Sequence, residues 1–327
     1  MNTTQIELTT RLTTGPRAVS DISAKRYVDN LNKIANKATG KDFESIEFLK
    51  DYEKISKIIS LDYATSTIKN FLNAIINALS PEGKWKYLEG YEVVGKRYTR
   101  YQSDLRKILM DISKKQELSK KDEKNWCDEK VLIKIRQTKL NWLRHNKINT
   151  ISGPLDPILK KEYMDRIQQA LIASLYTMIY TNRNAYGDMH VIEMWEYQKL
   201  TLEEQQDNNY YVHINKAKAI FSIGKHKQSH KIVEGKRIHQ GLCITPIPSK
   251  LNRIIKIWLN YNKTGFFLIN TKGRMLGTAG VTNLINKTFE STGKKIGSTL
   301  CRKIKISKKF ENEIPLKEKE EIAAQCG

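Results

Sequence analysis

No window of the sequence approaches ~18 uninterrupted apolar residues, the length a membrane-spanning helix needs. The first 20 residues are rich in threonine and lack the apolar core of a signal peptide. An intracellular location is therefore expected. Cysteine is scarce. Cys127, Cys243, Cys301 and Cys326 stand far apart with no Cys-x-x-Cys pair, which argues against a zinc ribbon or a disulfide framework and predicts reduced thiols. His226 and His230 are four apart, but in a stretch that reads as strand and turn, so they form no helical metal face. No metal and no cofactor is expected. Acidic residues are short as well: 35 Asp+Glu face 57 Lys+Arg, a formal charge of +22. A surface so basic draws polyanions, and without a membrane anchor the expected partner is nucleic acid.

The 327 residues suffice for two domains. Residues 1–19 hold few apolar positions and a Gly15-Pro16 break, and are expected to be a flexible arm. Residues 20–148 read as a small helical bundle. Tyr27, Leu31, Ile34 and Ala35 share one helical face; Phe43 to Ile59 give a second; Ile68 to Leu79 give a third, capped by Thr65 or Ser66 and stopped by Pro81. Tyr98, Tyr101, Leu105, Ile108 and Leu109 mark a fourth. A polar connection at 113–125 is expected to be mobile, with Ser119 as a helix start. One more helix, Trp126 to Leu143, precedes a linker at 149–157, where Gly153, Pro154 and Pro157 place the domain boundary. The second domain, 158–327, opens with a buried helix through Ile179. The short alternating runs 210–214, 219–223 and 242–245 read as three antiparallel strands. Helices follow at Leu251 to Leu259, at Val281 to Phe289 after a Gly-rich loop 273–280, and from Pro315 to Gln325. The fold class is mainly α with a small antiparallel β-sheet, α+β.

Basic residues stand where packing alone does not ask for them. Arg183 lies between Asn182 and Asn184 at the foot of the buried helix, suited to gripping a phosphate. Lys225 or Lys227 stands on the second strand, and Arg302 sits inside the helix Leu300-Cys301-Arg302-Lys303-Ile304. In the first domain Lys84, Lys86, Lys96, Arg97 and Arg100 interleave with Trp85, Tyr87, Tyr91, Tyr98 and Tyr101. That patch reads either as a phosphate-contacting and base-stacking surface or as a solvated loop whose aromatics dock on the bundle. Lys294, Lys295 and Lys303 add candidate DNA contacts near the C-terminus.

The order arginine, hairpin lysine, arginine, after a basic helical domain, resembles the tyrosine recombinases or phage-type integrases. The run Tyr180-Thr181-Asn182-Arg183-Asn184-Ala185-Tyr186-Gly187-Asp188 is closest to the first box of integrases from virophages and Polinton-like viruses. Ser66-Thr67-Ile68-Lys69-Asn70-Phe71-Leu72 and Leu118-Ser119-Lys120-Lys121-Asp122-Glu123-Lys124-Asn125-Trp126 are similar to that group's core-binding domain. The resemblance implies a helical core-binding domain, a recombinase catalytic domain, and site-specific cutting and rejoining of double-stranded DNA through a 3′-phosphotyrosyl intermediate. It implies integration of a viral or mobile element, a homo-tetramer on DNA, and a DNA-associated place in the host cytoplasm, viral factory or nucleus. Arg183 and Arg302 then neutralise charge on the non-bridging oxygens, a role for permanently charged forks that needs no metal. A hairpin lysine protonates the leaving oxygen, with Lys227 the first choice and Lys225 the second. Asp188 becomes a structural partner of the arginine.

Two departures from the family pattern bear on activity. Thr299 occupies the position where a histidine is usual. The nucleophile, expected beyond a Gly-His pair, has no counterpart, because the last tyrosine, Tyr261, precedes the second arginine. The chain is therefore expected to be a truncated copy that binds DNA without cutting it, or alternatively a non-catalytic architectural DNA-binding protein. A sequence-tolerant RNA-binding protein is the further rival.

Overall fold

The computed structural model describes all residues except 1, 15–18, 81, 83–85, 115–117, 149–156, 226–229, 234–235, 240, 312–313 and 327. Outside it fall the Gly15-Pro16 break, Pro81, Lys84, Trp85, His226, Lys227 and nearly all of the 149–157 linker. The chain forms two compact units, Met1–Glu117 and Leu118–Gly327. It is mostly helical with a small sheet, and among the described residues no helix is long and apolar enough to cross a membrane.

Among its described residues the first unit packs five α-helices: α1 (Thr3–Thr14), α2 (Asp21–Thr39), α3 (Tyr52–Asp62), α4 (Thr65–Leu79) and α5 (Glu92–Lys114). The expected arm is thus corrected: it contains a helix whose Leu8 and Leu12 enter the core with Leu31, Phe71 and Leu72. The threonines of α1 tolerate helix because their hydroxyls turn back on the preceding turn, Thr9 to the Gln5 carbonyl (2.7 Å) and Thr14 to that of Thr10 (2.8 Å). Ser20 caps α2 through its side chain. At α4 the cap position falls on Ala64, which gives no side-chain hydrogen bond, so neither Thr65 nor Ser66 serves as its cap.

The second unit contains α6 (Lys120–Asn125), α7 (Glu129–His145), α8 (Pro157–Met178), α9 (Met194–Tyr197), α10 (Leu202–Asp207), α11 (Ser249–Tyr261), α12 (Gly277–Thr288), α13 (Ser298–Phe310) and α14 (Leu316–Cys326). Its strands are β1 (Met189–Glu193), β2 (Asn209–His213), β3 (Ala219–Ile223), β4 (His230–Val233), β5 (Lys236–His239) and β6 (Cys243–Pro246). The expected boundary at 149–157 is corrected to the Glu117/Leu118 junction. The physical reason is apolar burial: Leu132 and Leu143 of α7, with Ile148, share one core with Ile167, Leu171 and Leu175 of α8. The supposed mobile stretch is likewise tied down from Ser119 on. Ser119 caps α6, and Asp122 pairs with Lys303 at 2.5 Å.

The main sheet has the order β1-β2-β3-β6. The three foreseen strands are β2, β3 and β6, paired antiparallel. The expectation of an all-antiparallel sheet is corrected by β1, which runs parallel to β2 from Met189 opposite Asn209 to Glu193 opposite His213. A separate two-stranded pair, β4 with β5, lies between β3 and β6 in the chain. The core runs under this sheet through Tyr186, Phe221 and Phe267, whose rings meet edge to face or tilted at 5.2 to 6.3 Å.

Candidate phosphate-binding site

Helix α8 is buried from Ile167 through Thr177, the stretch that runs down to the turn. Where it ends, the chain must turn, and the turn is fixed by buried polar groups. The Tyr176 hydroxyl donates to the Arg183 carbonyl. Asn184 Nδ2 donates to the Thr278 carbonyl and to Thr282 Oγ1, both at 2.9 Å. Asn182 is buried and its amide reaches Cys243 Sγ at 3.5 Å. The backbone on both sides of Arg183 is anchored while its side chain stays half-buried. The following turn, Ala185–Asp188, lies so close to α12 that a Cβ on Gly187 would meet the Gly277 carbonyl oxygen at 2.5 Å.

Sequence reasoning missed Asn209, at the start of β2. Its buried side chain accepts from the Lys225 backbone N–H (2.9 Å) and donates to the carbonyls of Ala185 (3.2 Å) and Lys225 (3.3 Å). One amide thus joins the Arg183 turn to the start of the β3–β4 connection. Gly224, just before Lys225, is pressed against α10: an added Cβ would lie 2.3 Å from the Gln205 carbonyl oxygen. His239 Nε2 donates to the Gly224 carbonyl at 3.0 Å and its Nδ1 accepts from Gly241 N–H at 3.0 Å, which requires the neutral tautomer protonated on Nε2.

Helix α13 supplies the last wall. Ser298, Leu300, Cys301 and Ile304 face the core, and burial pushes the Cys301 thiol up to about 12. This leaves Thr299 and Arg302, three apart, on the outward face. Gly297 starts the helix with no side-chain cap.

These elements enclose a cavity of about 580 Å³ lined by Arg183, Asp188, Asn209, Lys225, Thr299 and Arg302, among others. Three separate elements therefore bring Arg183, Lys225, Thr299 and Arg302 to one place. Of the two hairpin lysines, Lys225 lies here; Lys227 is outside the described residues. Asp188 makes no ion pair with Arg183 within 4.0 Å, so its expected role as the arginine's partner is corrected. Among the described residues no tyrosine lines the cavity, and Tyr261 is engaged elsewhere, its hydroxyl donating to the Ile148 carbonyl at 2.8 Å. Thr282, Gly297 and Thr299 also line a neighbouring cavity of about 860 Å³ that carries Lys121, Lys287, Lys294 and Lys295. The two cavities adjoin across these shared residues, a trench of two parts.

The other basic candidates differ in what they hold. Lys294 donates to the Trp126 carbonyl, Lys303 holds Asp122 and Lys287 holds Asp165 at 2.8 Å, so these tie elements together. Lys295 is exposed. In the first unit Arg97 pairs with Glu53 and stacks 3.9 Å above the Tyr52 ring. Lys86 faces Glu82 at 3.5 Å, while Lys96 and Arg100 are exposed beside a groove of about 460 Å³. Tyr91 and Tyr98 are buried, their hydroxyls bonded to Glu47 (2.7 Å) and the Leu49 carbonyl (3.0 Å). Of the two readings of this patch, docking on the bundle describes them. No protein-family model matches the sequence, and no curated protein matches it at a significant level.

Proposed function

We propose that the chain binds double-stranded DNA as a site-specific recombinase of the tyrosine type, with the first unit as the core-binding domain and the second carrying the phosphate site. The observation that carries the reading is the convergence of Arg183, Lys225 and Arg302, far apart in sequence, on one cavity in which neither arginine has an ion-pair partner among the described residues. Two guanidinium forks and an ammonium fit the charge that develops on a phosphodiester under attack. In such a reaction a tyrosine hydroxyl, which the described lining of this cavity does not supply, forms the 3′-phosphotyrosyl bond as the 5′ oxygen leaves; Arg183 and Arg302 hold the non-bridging oxygens, and Lys225, the described hairpin lysine, protonates the leaving oxygen. The trench running on to Lys121 and Lys295 favours a polymer over a small phosphate ester. Assembly into a tetramer on integrating DNA belongs to the same reading.

Fluorescence anisotropy with a labelled duplex across a salt series tests it. The expected slope of log K against log salt is steep, about −0.9 for each phosphate neutralised, and shallower by about one contact in Arg183→Ala or Arg302→Ala. Salt-independent binding would sink the proposal. A second reading, an architectural protein that holds DNA without cutting it, is favoured by Thr299 and by a cavity wall without a tyrosine. A suicide duplex that traps covalent protein–DNA adducts separates the two, since the architectural protein yields none in any length of the chain.

A further inference from the structure

One turn beyond Arg302 on α13 stands Lys305, which does not line the cavity. Its ammonium donates to the Thr177 carbonyl at 2.7 Å, lies 3.8 Å from the Glu129 carboxylate and sits 5.2 Å from the centre of the Tyr180 ring. From α7, Arg136 donates to Thr177 Oγ1 at 3.0 Å. Thr177, in the last turn of α8, thus receives a cation at each of its oxygens, and three helices meet there. The Lys305 and Glu129 side chains are only 14% and 18% exposed. Burial lowers the pKa of both Lys305 and Arg136. Two cations with little exposure, set against one carboxylate, carry a desolvation cost that apolar side chains of similar size would avoid, so packing alone is a poor reason for them.

What the cluster joins explains it better. Lys305 belongs to the helix that presents Arg302. Thr177 lies next to Tyr176, whose hydroxyl holds the Arg183 carbonyl. We propose that Lys305, backed by Arg136, is a positioning residue that sets the separation of Arg183 and Arg302 so that both address one phosphate group. This rests on the reading of the cavity as a phosphodiester site.

The test is a thermodynamic cycle on duplex affinity at fixed salt, using Lys305→Met, Arg302→Ala, their combination, and Lys121→Ala as a trench control. Lys305→Met is expected to weaken binding roughly tenfold alone and to add nothing in the Arg302→Ala background, because residues acting as one unit are non-additive. With Lys121→Ala its effect should multiply. A full tenfold loss persisting in the Arg302→Ala background, or no loss at all, overturns the proposal. Thermal melting checks the fold, and Arg136→Met enters the same cycle if Lys305→Met does not fold. If Arg183→Ala and Arg302→Ala themselves leave affinity unchanged, the phosphate reading fails and this proposal falls with it.

Discussion

At the scale of single residues, Asn209 shows how little side chain a site needs to be organised. Its amide satisfies one N–H and two carbonyls from segments that carry Arg183 and Lys225. Asn209→Ala would strand those backbone groups, with an expected loss of about 2–3 kcal/mol measured by urea unfolding and a weaker duplex affinity beyond it. The same residue was illegible in the sequence, because an asparagine beside Asn208 before a strand looks like turn chemistry and its partners are all backbone. Arg183 and Arg302 were legible, since a cation at the foot of an apolar helix or amid core-facing residues has few packing reasons to be there.

At the scale of elements, the lesson concerns pattern strength. Helices α2, α4, α8 and α11 announce themselves through apolar periodicity; α1 offers only Leu8 and Leu12 among threonines and reads as an arm. Leu12→Ala is expected to destabilise the first unit by about 2–4 kcal/mol, read from its urea midpoint, because Leu12 is 6% exposed. β1 was missed because its partner lies beyond two intervening helices and parallel pairing leaves no turn signature. Helix α6 adds a pH dependence. The hydrogen bond from Lys303 lowers the Asp122 pKa, so its contribution is fully present above the unfolded carboxylate value, near 3.8, and is lost as pH falls through the lower folded value. Lys303→Met should flatten that part of an acid unfolding curve; an unchanged curve would remove the pair from the account.

At the scale of the whole molecule, composition foretold two units but misplaced their junction, since a cluster of proline and glycine breaks a helix without dividing a core. Fragments decide this. Residues 118–327 are expected to be soluble with cooperative melting, whereas 158–327, deprived of Leu132, Leu143 and Ile148, should aggregate or lose its melting transition. Comparable behaviour of the two would restore the boundary at 149–157.

The arginines that converge on the cavity lie 119 positions apart in the chain, 183 to 302. At ribosomal speeds of roughly 10 residues per second, on the order of ten seconds separate their synthesis. During that interval the first unit is complete and the cavity has no second wall. If the proposed function holds, a nascent chain therefore presents the exposed cations of its first unit well before the two arginines can meet across the cavity.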